Sequence, residues 1–364
     1  MSFVRTAAVA VAACTLALAV PATAAAQPTT PEVVQIPVSF TVENVNRSVV
    51  ECAADGGTYE VAGTLTAPAD ALDDPDRAVT LYQHGIAGGE WYWNLPLEGY
   101  NHVTEMAERG HVSVSFDRLG YDDSGLPQGT ETCIGAQADV TNQIVEQLRS
   151  GEYTSGSEQP TFDQVVLAGQ SNGGLIANIA AISFGNVDGV SVHGWGDLGF
   201  TAEADERFIA ATGRCLLQFA PDAEPGVGAG DATGAPADIP LGYTYYDNGT
   251  EEFLTGNFAD AEPAVLEAVT PLQNAHPCGD MSTITLGIYQ DLQRLDEVDV
   301  PVQVVYGSAD ARIQGIETQT ALYAGAPSVD TLLVPDSGHY MGLERNAQLV
   351  HDDMAAWLTD NDLV

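Results

Sequence analysis

Hydrophobic and polar positions change period along the chain, and each change predicts a different kind of element. Over 33–45 and 58–66, β-branched residues recur with partial alternation between Asn, Asp and Gly boundaries, which predicts antiparallel opening strands. A Pro/Thr-rich stretch over 27–32 precedes them. From residue 78 short apolar runs (79–82, 112–116, 165–168, 190–193) trade places with longer amphipathic stretches (99–109, 136–148, 175–182). The same rhythm resumes at 302–306, 315–323 and 332–334 and closes with a helix over 343–358. Strands alternating with helices predict an α/β fold: a mostly parallel central sheet with helices on both faces. Between 198 and 299 the rhythm fails. The stretch 221–240 is dense in Pro, Gly, Ala and Asp, while 262–269 and 284–295 read as helices. This block, 198–299, is read as an inserted cap or lid that divides the sheet domain into 27–197 and 300–364, within a chain of 364 residues.

At the amino terminus Arg5 precedes an uncharged Ala/Val/Leu-rich run over 6–20, then Pro21 and the small residues 22–26. That is the pattern of a signal peptide over 1–26, with cleavage after Ala26 and export to the outside of the cell. The run is too short to span about 30 Å of hydrocarbon comfortably, so no stable membrane span is expected. Val11-Ala12-Ala13-Cys14 resembles a bacterial lipoprotein box and offers lipid anchoring at Cys14 as the alternative. Four cysteines remain, Cys52, Cys133, Cys215 and Cys278, an even number that suits two disulfides in an oxidising compartment. Of the three possible pairings, Cys52–Cys133 and Cys215–Cys278 keep one bridge in the core and one in the insertion. No Cys-x-x-Cys or close His pair suggests zinc, and no metal is expected.

Charge narrows the partners. Eleven basic residues, all arginine, face 51 acidic ones, for a net charge of −40. A phosphate backbone would be repelled by such a surface, so nucleic acid is not an expected partner, and anionic membranes are disfavoured too. The acidity reads as a solvated surface that keeps the chain soluble, or as adaptation to high salt, where counterions screen self-repulsion.

The chemistry concentrates at Gly169-Gln170-Ser171-Asn172-Gly173, which follows the apolar strand at 165–168 and opens an amphipathic helix. Glycines on both sides of a serine allow the sharp reversal of a nucleophile elbow, and the helix that starts at once aims backbone N–H groups at a developing anion. A serine hydroxyl needs a base to take its proton and a carboxylate to orient that base. Among the seven histidines, His339 alone stands in a loop just after a late strand, at the carboxyl end of the sheet where ligands bind. Asp310 follows the strand at 302–306 and is the expected acid; Asp197 after the preceding strand is the alternative, and Asp336 a third. The turn Gln83-His84-Gly85-Ile86-Ala87-Gly88-Gly89 suits an oxyanion hole, with the N–H groups of Ile86 and Asn172 as donors and His84 in a structural role.

The His-Gly turn at 84–85, the elbow at 169–173, Asp310 and His339, in that order, resemble the α/β-hydrolase fold family over about 78–197 and 300–360. The resemblance implies that Ser171 acts as nucleophile, His339 as base and Asp310 as orienting acid, with no cofactor. Haloalkane dehalogenases and epoxide hydrolases of that family use an aspartate nucleophile, which Ser171 argues against. Asn172, where many lipases carry another residue, leaves the subfamily open. The expected activity is a secreted serine hydrolase of carboxylic esters, esterase or lipase in type, acting on a small-molecule or lipid-like ester. Trp91, Trp93 and Tyr340, with Tyr92, are the expected pocket lining. A secreted prolyl-type aminopeptidase on the same fold and a non-catalytic binding protein are the alternatives.

Overall fold

In the computed structural model, which describes residues 1–4, 7, 31–72, 77–156, 159–224, 226–236 and 239–364, the β-branched opening runs form long paired strands. The chain divides into two units, Met1–Thr30 and Pro31–Val364, and every element named here lies in the second. The apolar run of the expected leader, its cleavage site and Cys14 lie outside the described residues.

Strands β1 (Val33–Glu43) and β2 (Thr58–Pro68) pair antiparallel, Val33 opposite Pro68 and Glu43 opposite Thr58. The alternating part of the chain then forms β3 (Ala78–Gln83), α1 (His102–Glu108), β4 (Val112–Phe116), α2 (Ile134–Ser150), β5 (Thr154–Ser155), β6 (Gln164–Gln170), α3 (Asn172–Phe184) and β7 (Gly189–His193). The 198–299 block holds α4 (Ala202–Leu217), β8 (Tyr243–Tyr245), α5 (Thr250–Asn257), α6 (Pro263–Val269), β9 (Ala275–Pro277) and α7 (Cys278–Arg294). The end of the chain adds β10 (Val302–Gly307), α8 (Ile316–Thr320), β11 (Val329–Val334) and α9 (Ala347–Asp360).

Among the described residues nine strands form one sheet in the order β11-β10-β7-β6-β3-β4-β2-β1-β5. From β11 to β4 all neighbours are parallel; β4–β2, β2–β1 and β1–β5 are antiparallel. Strands β3, β4, β7 and β10 are buried at every position, which is why their sequences are nearly continuous apolar runs with little alternation. The chain passes from β3 to β4 on one side and returns as β6 on the other side of β3. The carboxyl ends of β3 and β6 therefore flank a topological switch point, where ligands bind in open α/β sheets.

Between the adjacent parallel strands β7 and β10 the chain leaves the sheet for the whole 198–299 block, whose β8 and β9 form a separate antiparallel pair. The block is tied back at its end: α7 packs on α2 and α3, and a Cβ at Gly287 would lie 2.9 Å from the Leu175 side chain. Helix α4 was not evident from periodicity because its exposed positions include Ile209, Leu216 and Leu217, which blur the apolar stripe. Helix α7 starts six residues before the predicted boundary, since the small Gly279 lets its first turn press onto the backbone of Thr132. The disulfides are Cys52–Cys133, pinning the loop after β1 to the start of α2, and Cys215–Cys278, joining α4 to α7.

Candidate active site

The strand-to-helix turn after β6 reverses the chain within one residue. Ser171 sits at φ 54°, ψ −129°, a conformation that costs a non-glycine residue about 1–3 kcal/mol and persists only where its surroundings enforce it. The enforcement is visible. The Ser171 N–H donates to His193 O at 2.8 Å and the Gly174 N–H to Ser171 O at 2.8 Å. A Cβ at Gly173 would lie 2.6 Å from His84 O, and one at Gly169 would strike Gly173 O. Both elbow glycines are therefore required by close backbone approach.

His339 and Asp310 arrive from the loops that follow β11 and β10. Asp310 Oδ2 stands 2.9 Å from His339 Nδ1, and both side chains are buried. The other carboxylate oxygen accepts the N–H groups of Arg312 at 2.7 Å and Ile313 at 3.1 Å, so the acid is locked before it meets the ring. Asp197, the alternative acid, does not meet His339: its carboxyl bonds the Trp195 indole N–H and the Gln319 amide, and burial pushes it up to about 6. Asp336 is exposed, at φ 52°. Two further residues hold the histidine, and sequence reasoning passed over both. Gly194, at φ +62°, leaves the space where a Cβ would stand 3.2 Å from His339 Nδ1. Glu344, buried and shifted upward by that burial, accepts the N–H groups of Gly338 at 2.9 Å, Ala259 at 2.7 Å and Asp260 at 2.9 Å, tying the histidine loop to the 198–299 block.

On the other side of the elbow, the turn after β3 brings Gly85 against Ser171: a Cβ there would lie 2.9 Å from the serine Cβ. The Arg118 N–H donates to His84 Nε2 at 3.0 Å, so Nδ1 carries the ring proton and donates to Gly85 O at 2.8 Å. Desolvation holds His84 well below the ordinary histidine range, and the neutral ring braces the turn. Ile86 and Asn172 are both buried, and among the described residues their backbone N–H groups have no acceptor.

Ser171, His339, Ile86, Asn172 and Tyr340 all line one narrow cleft enclosing about 520 Å³ of empty space, open solvent at its mouth included. Trp91 and Trp93 do not line it. Trp93 is packed into the core against Tyr82, Tyr92, His102 and His193, and Tyr92 is likewise buried there. Trp91 meets Tyr340 edge-on at 6.0 Å but faces a separate cavity. The two tryptophans miss the cleft because proximity in sequence to the turn after β3 says nothing about which side of that turn a ring packs on. Its actual aromatic wall, Trp195, Phe200, Phe208 and Tyr246, comes from the stretch after β7 and from the inserted block.

A sequence model described as the alpha/beta hydrolase family matches residues 79–352. The chain belongs to the alpha/beta hydrolase family. Solved structures agree on the fold of this hydrolase. A thermophilic esterase from Thermogutta terrifontis is 18% identical, with 88% of this chain and 98% of that one covered at a TM-score of 0.58. A monoacylglycerol lipase from Paleococcus ferrophilus is 15% identical, with coverage of 79% and 96% and a TM-score of 0.56. The peroxisomal alpha-beta-hydrolase Lpx1 of Saccharomyces cerevisiae is 10% identical, with coverage of 91% and 90% and a TM-score of 0.57. No curated protein matches the chain by sequence. Among the described residues of this hydrolase no His/Cys/Asp/Glu group is arranged to hold a metal ion, and no helix is long and apolar enough to cross a membrane.

Proposed function

We propose that this alpha/beta hydrolase is an exported serine esterase that cleaves carboxylic esters through an acyl-enzyme on Ser171. The observation that carries the reading is that His339, paired with the buried Asp310, opens onto the same cleft as a serine held at positive φ. His339 takes the proton of the Ser171 hydroxyl as its oxygen bonds to the ester carbonyl carbon, and Asp310, accepting from Nδ1, keeps Nε2 free for that proton. The carbonyl oxygen becomes an anion that the N–H groups of Ile86 and Asn172 stabilise, at about 3 kcal/mol for each donor. His339 then protonates the leaving alcohol, and the same base activates the water that releases the acid. Residues 198–299 serve as the cap, since Phe208 and Tyr246 of that block wall the cleft. Two disulfides suit an exported chain.

Labelling with a fluorophosphonate and turnover of 4-nitrophenyl esters against aminoacyl-4-nitroanilides test the reading. Wild-type protein is expected to label and to cleave the esters, and Ser171→Ala to do neither. Failure of correctly folded wild-type protein to label overturns the serine mechanism, and predominant cleavage of the anilides replaces the esterase reading with the aminopeptidase.

A further inference from the structure

Arg312 has no part in the proton transfers, yet it lines the catalytic cleft two residues beyond Asp310. Its side chain is buried at 6% exposure, under the ring of Tyr246 with the guanidinium carbon 4.9 Å from the ring centroid. The fork is only partly used: Nη2 donates to both oxygens of Asp247, at 2.9 and 2.7 Å, while Nε is buried without a hydrogen-bond partner. Asp247 is also shared, because Arg207 Nη1 reaches its Oδ1 at 3.0 Å. Arg207 meets Glu203 and Glu252 as well, at the half-exposed rim, whereas Asp247 is the one carboxylate that the Arg312 guanidinium meets among the described residues. A second group of the cleft is in the same condition, since the Nδ2 of Asn172 is buried and unpartnered. Gln170, whose Oε1 is likewise buried and unpartnered, and Asn257 also line the cleft, and Phe200, Phe208, Ile284 and Ile313 supply its apolar wall.

Arg207 is matched by Glu203 and Glu252 at the rim, so at the inner wall of this cleft Arg312 has the shared carboxylate of Asp247 and keeps a buried Nε without an acceptor. A buried N–H without an acceptor is costly, and a planar fork with a spare edge matches a carboxylate better than any other ligand group. We infer that the cleft takes esters that carry a second, free carboxylate, and that Arg312 recognises this group while the apolar wall holds the hydrocarbon between it and the ester. The inference deepens the serine esterase reading and rests on it. The carboxylate belongs either to the acyl part, as in a monoester of a dicarboxylic acid, or to the alcohol part; the chemistry that Arg312 reads is the same.

The test compares kcat/KM for matched ester pairs at 1 M NaCl, where the Debye length of about 3 Å removes the repulsion between the acidic surface and an anionic substrate. For the acyl side the pair is the 4-nitrophenyl monoester of adipic acid and 4-nitrophenyl hexanoate. For the alcohol side it is 4-carboxyphenyl hexanoate and 4-carbamoylphenyl hexanoate. Wild-type enzyme is expected to favour the carboxylate ester at least tenfold in one of the two pairs. That ratio should collapse to one or below in Arg312→Met combined with Asp247→Asn, which strands no buried charge, and fall several-fold in Arg312→Lys, which keeps the charge and loses the fork. Preference for the neutral ester in both pairs overturns the inference, as does a carboxylate preference that survives in the double variant. Fluorophosphonate labelling of the same samples separates the two readings: labelling without carboxylate preference sinks this inference alone, and absence of labelling sinks the serine mechanism.

Discussion

Replacing Gly194 by alanine should damage activity out of proportion to stability, and Gly185 offers the matched control. Both glycines are left-handed, at φ +62° and +59°. Alanine in that region costs about 1–2 kcal/mol wherever it occurs. At Gly185, the C-cap of α3, the added methyl meets nothing within 4 Å, so the backbone cost is the whole cost. At Gly194 the methyl would stand 3.2 Å from His339 Nδ1 and 3.3 Å from its Cε1 and from Met341 Cε. The backbone there cannot retreat freely, since the Gly194 N–H is bonded to Val305 O at 2.8 Å. The methionine tip can yield, but the ring has to move by a few tenths of an ångström against its 2.9 Å bond to Asp310. Misplacing a catalytic group by 1 Å costs about 100-fold, and a smaller displacement of the base about tenfold. Thermal melts of Gly185→Ala and Gly194→Ala should therefore drop together by a few degrees, at about 2–4 °C per kcal/mol. Only Gly194→Ala should lose about tenfold in kcat/KM for a 4-nitrophenyl ester, with a parallel fall in fluorophosphonate labelling rate. Equal kcat/KM in the two variants would refute the argument that Gly194 is there to seat the histidine.

Two further outcomes follow from the buried carboxyls. Asp310→Asn should lower kcat about 10³- to 10⁴-fold with KM little changed, while Asp197→Asn should leave kcat within a few-fold; the reverse ranking, measured by steady-state kinetics, would exchange the two roles. Asp197 and Asp291 interact in the interior, where desolvation pushes Asp197 up to about 6 and, with the charge of Asp197, lifts Asp291 well above the usual carboxylate range. Because both groups lie above the unfolded value of about 4, their neutral forms stabilise the fold fully below pH 4; the contribution of Asp197 is lost as the pH rises through about 6, and that of Asp291 as the pH rises above the usual carboxylate range. Asp291→Asn, which keeps an acceptor for Asn178 and cannot ionise, should raise stability at pH 8 and change it little at pH 4. Urea midpoints that fall equally at both pH values would exclude this account.

The central sheet was legible because burial on both faces forces continuous apolar runs, and the chain has no other use for them: β3, β4, β7 and β10 fall where those runs fall. Helix boundaries were less legible. Asn172 and Gly173 have no apolar signal, yet they begin α3 because the reversal at Ser171 hands its carbonyl directly to the N–H groups of the first turn. In the 198–299 block the periodicity argument lost its footing, since α4 carries exposed Ile209 and Leu216, and non-local contacts such as the Gln218 side chain with the Gly228 carbonyl and the Gly242 N–H hold the described residues between α4 and β8. No local pattern encodes such a contact.

The same distinction separates the parts of the site. A histidine is one of seven in this sequence and a Gly-x-Ser-x-Gly turn has a mechanical reason for each glycine, so rarity and geometry together point to positions 171 and 339. A carboxylate is one of 51 and a glycine one of 37, so nothing in the sequence marks Glu344 or Gly194 among their kind. What marks them is convergence in space: three backbone N–H groups from two distant segments end on Glu344, and the imidazole occupies the volume that the missing Gly194 side chain would fill. Arg312 combines the two cases. Its backbone N–H helps lock Asp310, which its position two residues later makes natural, but its guanidinium is bound by Asp247, 65 residues away in the inserted block. A substitution at Asp247 therefore acts on the wall of the cleft that Ser171 and His339 line, so the 198–299 block and the loops carrying Asp310 and His339 should change together whenever that cleft is adapted to a different ligand.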